Sequence, residues 1–138
     1  DLSELMSSNG YNVSNTKGEN LDLDQSSVSR SDIEIVTAFE IFEHMFAPFN
    51  ILNAIKAKKM IASVPLKLWF SDAYWNENDD RDKHYHEFEV KQINFLLEKT
   101  GWKIIDSQKW TPYKKISLGI RPLLRMVTNR YYIVYCER

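Results

Sequence analysis

The stretch SDIEIVTAFEIFEHM, residues 31–45, joins an apolar run to a cluster of titratable side chains. Residues 33–39 alternate and then become wholly apolar, which is typical of a buried central strand. Glu40, Glu43 and His44 follow at positions i, i+3 and i+4, and on a helix this spacing places all three on one face. The stretch therefore predicts a strand that ends at a polar group, which forms either a solvated helix start or the mouth of a site.

Strands and helices alternate on both sides of this stretch, which indicates an α/β fold. We expect a Rossmann-like, mostly parallel sheet with helices on both faces and an antiparallel last strand, incomplete at its N-terminus. No convincing helix separates the final two strands, so we expect these two strands to pair antiparallel at the sheet edge. The predicted helices cover residues 2–8 and begin again at Pro48 and Phe88, and the predicted strands are 11–16, 33–39, 59–64, 102–109 and 130–137.

Length and composition fit one soluble domain with its own core. The chain has 138 residues, 43% of them hydrophobic and 27% charged, and a net charge of −1. The single cysteine, Cys136, excludes a disulfide framework and indicates an inert thiol in a reducing compartment. Because no apolar run could span a membrane and no signal peptide is recognisable, we expect a cytoplasmic protein. Since the chain opens on Asp1, we expect it to be part of a longer gene product.

Charge is unevenly distributed along the chain. Residues 1–44 carry nine acidic and two basic side chains, whereas residues 111–130 carry five basic ones and no acidic one. The basic segment could contact RNA, lipid or an acidic partner, although a solvated face is the commoner origin of such a pattern. Residues 66–87 are aromatic and acidic, and they could form a lid or acceptor pocket or fold only on their own rings. Their acidity does not favour a nucleic acid as partner.

Four segments, in this order, resemble the C-terminal two thirds of class I S-adenosylmethionine-dependent methyltransferases. SDIEIVTAFEIFEHM is similar to the family's fourth strand with the E-x-x-E-H after it, and KMIASVP is similar to its fifth strand. HYHEFEVKQINFLLEKTGWKIID resembles the H-x-x-F segment, helix, glycine and sixth strand, and RYYIVYCER resembles the terminal seventh strand. The resemblance covers residues 32–138. It implies one methyltransferase-like domain, residues 1–138, that lacks the family's first strand and glycine-rich loop.

The resemblance implies S-adenosylmethionine as the cofactor, with contacts from five residues: Asn20, Leu21, Thr37, Ala38 and Phe39. In the family a glycine-rich loop cradles the methionine end of the cofactor, and this sequence has no such loop. Where the family has an acidic residue for the ribose hydroxyls, the sequence offers Lys17, with Glu19, Asp22 or Asp24 as substitutes. We therefore expect this chain alone to bind S-adenosylhomocysteine weakly or not at all.

The resemblance places Glu40, Glu43 and His44 at the pocket mouth, beside the transferred methyl group. Methyl transfer needs an aimed acceptor lone pair and removal of the acceptor proton, so His44 and Glu43 are the predicted catalytic residues. With His86 as a further ligand and His84 beside it, the group also resembles the divalent-metal site of metal-dependent O-methyltransferases. In a purely structural interpretation, the glutamates favour a helix N-terminus and His44 caps a neighbouring loop.

These observations predict an enzyme that transfers a methyl group from S-adenosylmethionine to a small-molecule oxygen or nitrogen. One alternative is a metal-assisted O-methyltransferase that acts on vicinal hydroxyls, including the 2′-hydroxyl of RNA. The other alternative belongs to a different class of protein, a methyltransferase-like binding or scaffold module without turnover.

Overall fold

The computed structural model describes residues 2–112 and 119–138. Within these residues the helices and strands are short and alternate along the chain. The helices are α1 (Leu2–Ser8), α2 (Pro48–Ala54), α3 (Val90–Lys99) and α4 (Ile120–Val127), with single 3-10 turns at Phe42–His44 and Asp80–Asp82. The strands are β1 (Ile35–Phe39), β2 (Lys59–Pro65), β3 (Lys103–Trp110) and β4 (Tyr131–Glu137).

The four strands form one sheet in the order β1-β2-β4-β3. β1 and β2 are parallel, whereas β4 runs antiparallel to both β2 and β3. Three strands therefore point the same way and the last is reversed, which confirms the predicted Rossmann-like α/β class with its antiparallel last strand. The predicted antiparallel pairing of the final two strands at the sheet edge is confirmed, with β3 outermost. The prediction of a buried central strand over residues 33–39 is wrong, because β1 forms the other edge of the sheet and exposes Ile35 and Phe39.

The core packs against the face formed by alternate residues of β2 and β4. These residues are buried and pair directly across the two strands, Met60 with Cys136, Ala62 with Val134, and Val64 with Tyr132. Ile93 and Leu97 of α3 lie over this face. The indole Nε1 of Trp102 donates to the Leu52 carbonyl at 3.2 Å, which ties α2 to the start of β3. Full burial of one such apolar side chain stabilises the fold by roughly 1.5–3 kcal/mol.

The N-terminal part of the chain is less regular than predicted. Residues 11–16 form no strand, so that prediction is wrong. Turns follow over residues 21–28, and the Asp22 carboxylate accepts hydrogen bonds from the backbone N–H groups of Phe46 and Ala47, at 3.0 and 2.9 Å. Because these two residues immediately precede α2, Asp22 satisfies free N–H groups at the start of that helix, as a capping side chain does.

Helix α4 overturns the expectation that no helix separates the last two strands. It begins at Ile120 after Gly119, and Pro122 occupies its third position. A proline is tolerated there because the N–H groups of the first helical turn have no partner within the helix. Lys114 and Lys115, from the same basic connector, lie outside the described residues. Across the described part of the chain, no helix has the length and apolarity needed to cross a membrane.

The turn after α3 requires a residue in the left-handed region. Gly101 has a φ of +84°, its N–H donates to the Glu98 carbonyl at 3.0 Å, and the Trp102 N–H donates to the Leu97 carbonyl at 2.9 Å. These two bonds close the helix as a Schellman motif. A Cβ at this position would meet no atom within 4 Å, so a substitution changes only the backbone energy.

We expect Gly101→Ala to lower the free energy of unfolding by about 1 kcal/mol, because alanine disfavours a positive φ. Urea denaturation followed by circular dichroism measures the loss. Gly101→Asn is the control and should lose less, since asparagine adopts the left-handed region more readily. Equal losses in both variants would contradict the conformational explanation.

Candidate functional site

The candidate site lies where β1 and β2 end. Because these strands are parallel, their carboxyl ends meet at one edge of the sheet, which is where open α/β sheets bind ligands. Glu40 follows β1 with a φ of +53°, an uncommon value for a residue with a side chain. Its N–H donates to the Ser63 carbonyl at 3.1 Å, and the Ser63 hydroxyl donates to its carboxylate at 2.6 Å. Both bonds hold Glu40 against β2.

Glu43, in the 3-10 turn after β1, is a fully buried acidic side chain. Neither of its carboxyl oxygens has a hydrogen-bond partner among the described residues. Desolvation raises the pKa of Glu43 to about 8, and the charge of Glu40 adds to the rise. The backbone N–H of Glu43 opposes part of the rise but makes no well-formed hydrogen bond to the side chain. A buried carboxyl without a partner is costly, so this position calls for a functional explanation.

His44 is held by the loop that follows β2. Its Nδ1 lies 3.1 Å from the Lys83 carbonyl oxygen. A carbonyl oxygen can only accept, so Nδ1 carries the proton in the neutral ring and Nε2 keeps its lone pair. That Nε2 lies 3.7 Å from Oε1 of Glu43, which is too long for a hydrogen bond and short enough for a shared ligand.

His84 reaches the same place from the long loop over residues 66–87. Its ring packs edge-on against His44, with the ring centroids 4.9 Å apart. Its Nδ1 is buried without a hydrogen-bond partner among the described residues. Burial lowers the pKa of His84, and the nearby His44 adds to this effect. Ligand atoms of Glu43, His44 and His84 all lie within 4.8 Å of one another, and we call these three residues the Glu-His-His group.

The other two predicted ligands lie outside the Glu-His-His group. Glu40 bonds to Ser63, as described above, and burial raises its pKa. The Nε2 of His86 lies 3.4 Å from the Phe46 carbonyl oxygen, and its ring stacks on Phe88. Sequence reasoning overlooked Ser63, although a serine inside the apolar run KMIASVP was a visible signal. The sequence indicated His84 only as a possible further ligand, on an extended segment where His84 and His86 would point the same way.

Two solved structures share this fold. A SAM-dependent methyltransferase from Archaeoglobus fulgidus has 14% sequence identity and a TM-score of 0.55, over 87% of this chain and 66% of that one. The 1,6-didemethyltoxoflavin-N1-methyltransferase of Burkholderia thailandensis, with bound 1,6-didemethyltoxoflavin and S-adenosylhomocysteine, has 17% identity and a TM-score of 0.56, over 80% and 48%. The chain has the class I S-adenosylmethionine-dependent methyltransferase fold.

The similarity between this chain and the two methyltransferases is a similarity of three-dimensional structure. The chain spans 66% and 48% of the lengths of these two proteins, and identities of 14% and 17% establish the fold alone. No family model and no curated protein matches the sequence. What the methyltransferase fold does here must therefore be argued from the site itself.

Three of the residues predicted to hold the cofactor belong to β1, and the other two lie in the irregular N-terminal part of the chain. Thr37 and Phe39 are exposed on β1 while Ala38 between them is buried, as the alternation of a strand dictates. Asn20 is exposed and Leu21 packs against the core. An exposed aromatic ring and hydroxyl suit an adenosine, which has an aromatic base and polar ribose oxygens. All three acidic candidates for the ribose already accept backbone hydrogen bonds, Asp22 at the start of α2, Glu19 from Lys17 and Asp24 from Ser26.

The Glu-His-His group also fits a divalent metal ion. Metal–ligand distances are about 2.0–2.3 Å, so two ligands on one ion lie at most about 4.6 Å apart. The ligand atoms here, within 4.8 Å of one another, need only small side-chain movements to reach that range. Two imidazoles with one carboxylate suit Zn²⁺, Mn²⁺ or Fe²⁺ better than Mg²⁺, which prefers oxygen ligands. An ion would also supply the partner that Glu43 lacks.

Proposed function

We propose that the protein containing this chain transfers a methyl group from S-adenosylmethionine to an oxygen or nitrogen of a small molecule. The observation that carries the proposal is the pairing of buried Glu43 with the free Nε2 of His44, at the ligand-binding edge of a methyltransferase fold. Residues 1–138 act in this proposal as one methyltransferase-like domain. The buried thiol of Cys136 is compatible with a reducing, cytoplasmic setting.

His44 acts in this proposal as the general base. The bound cofactor supplies an electrophilic methyl group on a positively charged sulfur. Nε2 of His44 accepts the proton that the acceptor loses, while the Lys83 carbonyl fixes the ring through Nδ1. Protonation gives the imidazole a positive charge 3.7 Å from Glu43, and this charge favours the ionised carboxylate. Glu43, once it has released its own proton to solvent, stabilises the imidazolium.

A small neutral or cationic acceptor fits the surroundings better than a polyanion does. Residues 72–82 contribute five acidic side chains to the loop that carries His84. Phe46 stacks on Tyr85 with ring centroids 4.2 Å apart, and Trp75 meets Tyr85 edge-on at 6.1 Å. Acidic groups repel phosphates, and the aromatic rings offer an apolar wall beside the histidines.

We expect an NMR titration with S-adenosylhomocysteine to locate the cofactor edge. In ¹⁵N-labelled protein, the backbone amide signals of Asn20, Thr37, Ala38 and Phe39 should shift most, at millimolar ligand because the chain has no glycine-rich loop. The amides of residues 106–109, on the far edge strand β3, serve as the internal control and should stay in place. Shifts confined to β3 at millimolar ligand would contradict the proposed cofactor site.

A metal-assisted O-methyltransferase is the second candidate function. The observation in its favour is the Glu-His-His group, with two buried carboxyl oxygens and one buried imidazole nitrogen that lack partners among the described residues. When bound, a divalent ion would polarise two neighbouring hydroxyls of the acceptor and lower their pKa. Glu43, His44 and His84 would hold the ion, and Glu40 would remain with Ser63 beside it.

A further inference from the structure

Two acidic side chains lie beside His44, the proposed base. Oε1 of the fully buried Glu43 is 3.7 Å from Nε2 of His44 and has no hydrogen-bond partner among the described residues. Glu40 is also close enough to interact with the imidazole. Burial raises the pKa of Glu40, while the Ser63 hydroxyl and the charge of His44 lower it. An acceptor bound at Nε2 of His44 therefore meets surroundings rich in carboxyl groups.

A third carboxylate, that of Asp82, approaches the histidines from the long loop over residues 66–87. Its Oδ2 accepts hydrogen bonds from the Tyr74 hydroxyl at 2.8 Å and from Nδ2 of Asn76 at 2.9 Å. The Tyr74 ring lies against the ring of His84, with the ring centroids 5.2 Å apart. Both hydrogen bonds lower the pKa of Asp82, and the charges of His44 and His84 lower it further. Asp82 is therefore a fixed negative charge close to both histidines.

The same loop already binds one ammonium group of its own. Nζ of Lys83 lies 5.0 Å from the centroid of the Trp75 ring and forms an ion pair with Asp80. Only 13% of the Lys83 side chain is exposed, although a lysine normally keeps its charged end in water. An aromatic face next to a carboxylate attracts an ammonium ion both through the ring and through the opposite charge. Lys83 shows that this loop offers both.

A further aromatic ring is held in place two residues after His44. Phe46 is 69% exposed, yet its ring stacks on Tyr85 and its backbone N–H donates to the Asp22 carboxylate at 3.0 Å. Nε2 of His86 lies 3.4 Å from its carbonyl oxygen. These contacts fix an exposed apolar ring beside the proposed base, where it can pack against the apolar part of a ligand.

We propose that the methyl acceptor is a small amine that is cationic when free, with its ammonium group bound by Asp82 and its apolar part against Phe46. This inference rests on the proposed methyl transfer. The acceptor nitrogen loses one proton to Nε2 of His44, and its lone pair then forms an N–C bond to the methyl carbon. The C–S bond breaks with its electron pair left on sulfur, so the positive charge passes from sulfur to nitrogen.

The charges at this site favour nitrogen over oxygen as the acceptor atom. A hydroxyl gains negative charge as it loses its proton, and nearby carboxylates oppose negative charge at that place. An amine gains positive charge as the methyl group arrives, and the same carboxylates stabilise it. Asp82 is thus a specificity-determining residue, whereas His44 can take the proton from either kind of acceptor.

Three ligands with the same ring and different charges test this inference by NMR titration of the ¹⁵N-labelled chain. We expect cationic benzylamine to bind about tenfold more tightly than neutral benzyl alcohol, and anionic benzoate to bind more weakly than either. The backbone amide signals of Phe46 and Tyr85 should shift, while those of residues 106–109 on β3 should stay in place. Equal or tighter binding of benzyl alcohol, or no binding of benzylamine at millimolar concentration, would overturn the inference.

Asp82→Asn separates ligand recognition from a structural role of this residue. Asparagine can still accept the hydrogen bonds from Tyr74 and Asn76, so the loop keeps its shape while the charge is lost. We expect benzylamine to bind about fivefold more weakly and benzyl alcohol to bind as before. Asp79→Asn is the matched control, because Asp79 lies in the same loop and asparagine can still accept from the Arg81 N–H. It should leave both affinities unchanged.

Equal losses for both ligands in Asp82→Asn, or equal effects of Asp82→Asn and Asp79→Asn, would contradict the role of Asp82 in choosing the acceptor. Circular dichroism confirms that each variant is folded. S-adenosylhomocysteine shifts confined to β3 would contradict methyl transfer and leave the benzylamine preference as evidence of an amine-binding site. Shifts at β1 together with a preference for benzyl alcohol would support methyl transfer and overturn the amine as its acceptor.

Discussion

Replacing Glu43 with glutamine is expected to make the protein progressively more stable than the wild type as the pH rises from about 5 to about 8. Burial raises the pKa of this carboxyl to about 8 in the folded chain, against about 4.3 for an unperturbed glutamate. Between these values the unfolded chain ionises Glu43 while the folded chain keeps it protonated. The wild type therefore loses about 1.4 kcal/mol of stability per pH unit, up to about 4 kcal/mol in all. Glutamine stays neutral in both states and loses nothing.

Urea denaturation of both proteins at several pH values measures this difference directly. Glu98→Gln is the control, because Glu98 lies exposed on α3 and its substitution should shift the wild-type curve without changing its slope. Stability curves of wild type and Glu43→Gln that run parallel from pH 5 to pH 8 would show that Glu43 is already ionised or solvated when folded. The desolvated acid on which the proposed chemistry rests would then be absent.

Loss of His84 is expected to weaken the binding of Mn²⁺ or Zn²⁺ by about 100-fold or more, because a ligand is removed from a three-residue group. Isothermal titration calorimetry with His84→Asn measures this loss. His86→Asn is the matched control, because His86 lies two residues from His84 and outside the Glu-His-His group. The metal affinity of this variant should differ from that of the wild type by less than about threefold.

The affinity for a metal ion should also depend on pH. An ion requires ionised Glu43, so affinity should rise by up to tenfold per pH unit until pH 8, where the carboxyl has lost its proton. A loss in His86→Asn with none in His84→Asn would instead favour the ligand set Glu40, Glu43, His44 and His86. A wild type that binds neither ion would remove the metal-assisted candidate and leave proton removal by His44 as the remaining mechanism.

The strands of the sheet were predictable because a long apolar run has few stable alternatives to a strand within a sheet. Residues 33–39 and 59–64 are apolar enough to predict strands, and β1 and β2 lie within two residues of those ranges, although only β2 is buried along most of its length. The order of strands was not predictable in the same way. Periodicity shows that RYYIVYCER is a strand, but it holds no information on which strand lies on its other side, so the pairing of β4 with β2 was not predicted.

The site was predictable only for residues that keep the local geometry expected from their spacing in the sequence. Spacing brought Glu43 and His44 together correctly, but Glu40 adopts a positive φ that breaks the helical path, and its carboxylate goes to Ser63. The two loop histidines were expected to point the same way, as in an extended strand. A bend at Tyr85 separates them, because the N–H groups of Tyr85 and His86 both donate to the Glu43 carbonyl. Contacts between backbone groups far apart in the sequence cannot be predicted from the spacing of residues.

The interior place of β4 also governs when the sheet can assemble. β2 and β3 do not touch each other in the sheet, and each pairs with β4 along seven residues of that strand. On the ribosome, β1, β2 and α2 can associate early, but β3 has no strand to pair with until synthesis has passed Glu137. Until then β2 and β3 expose unpaired backbone edges, and such edges are prone to aggregation in nascent chains.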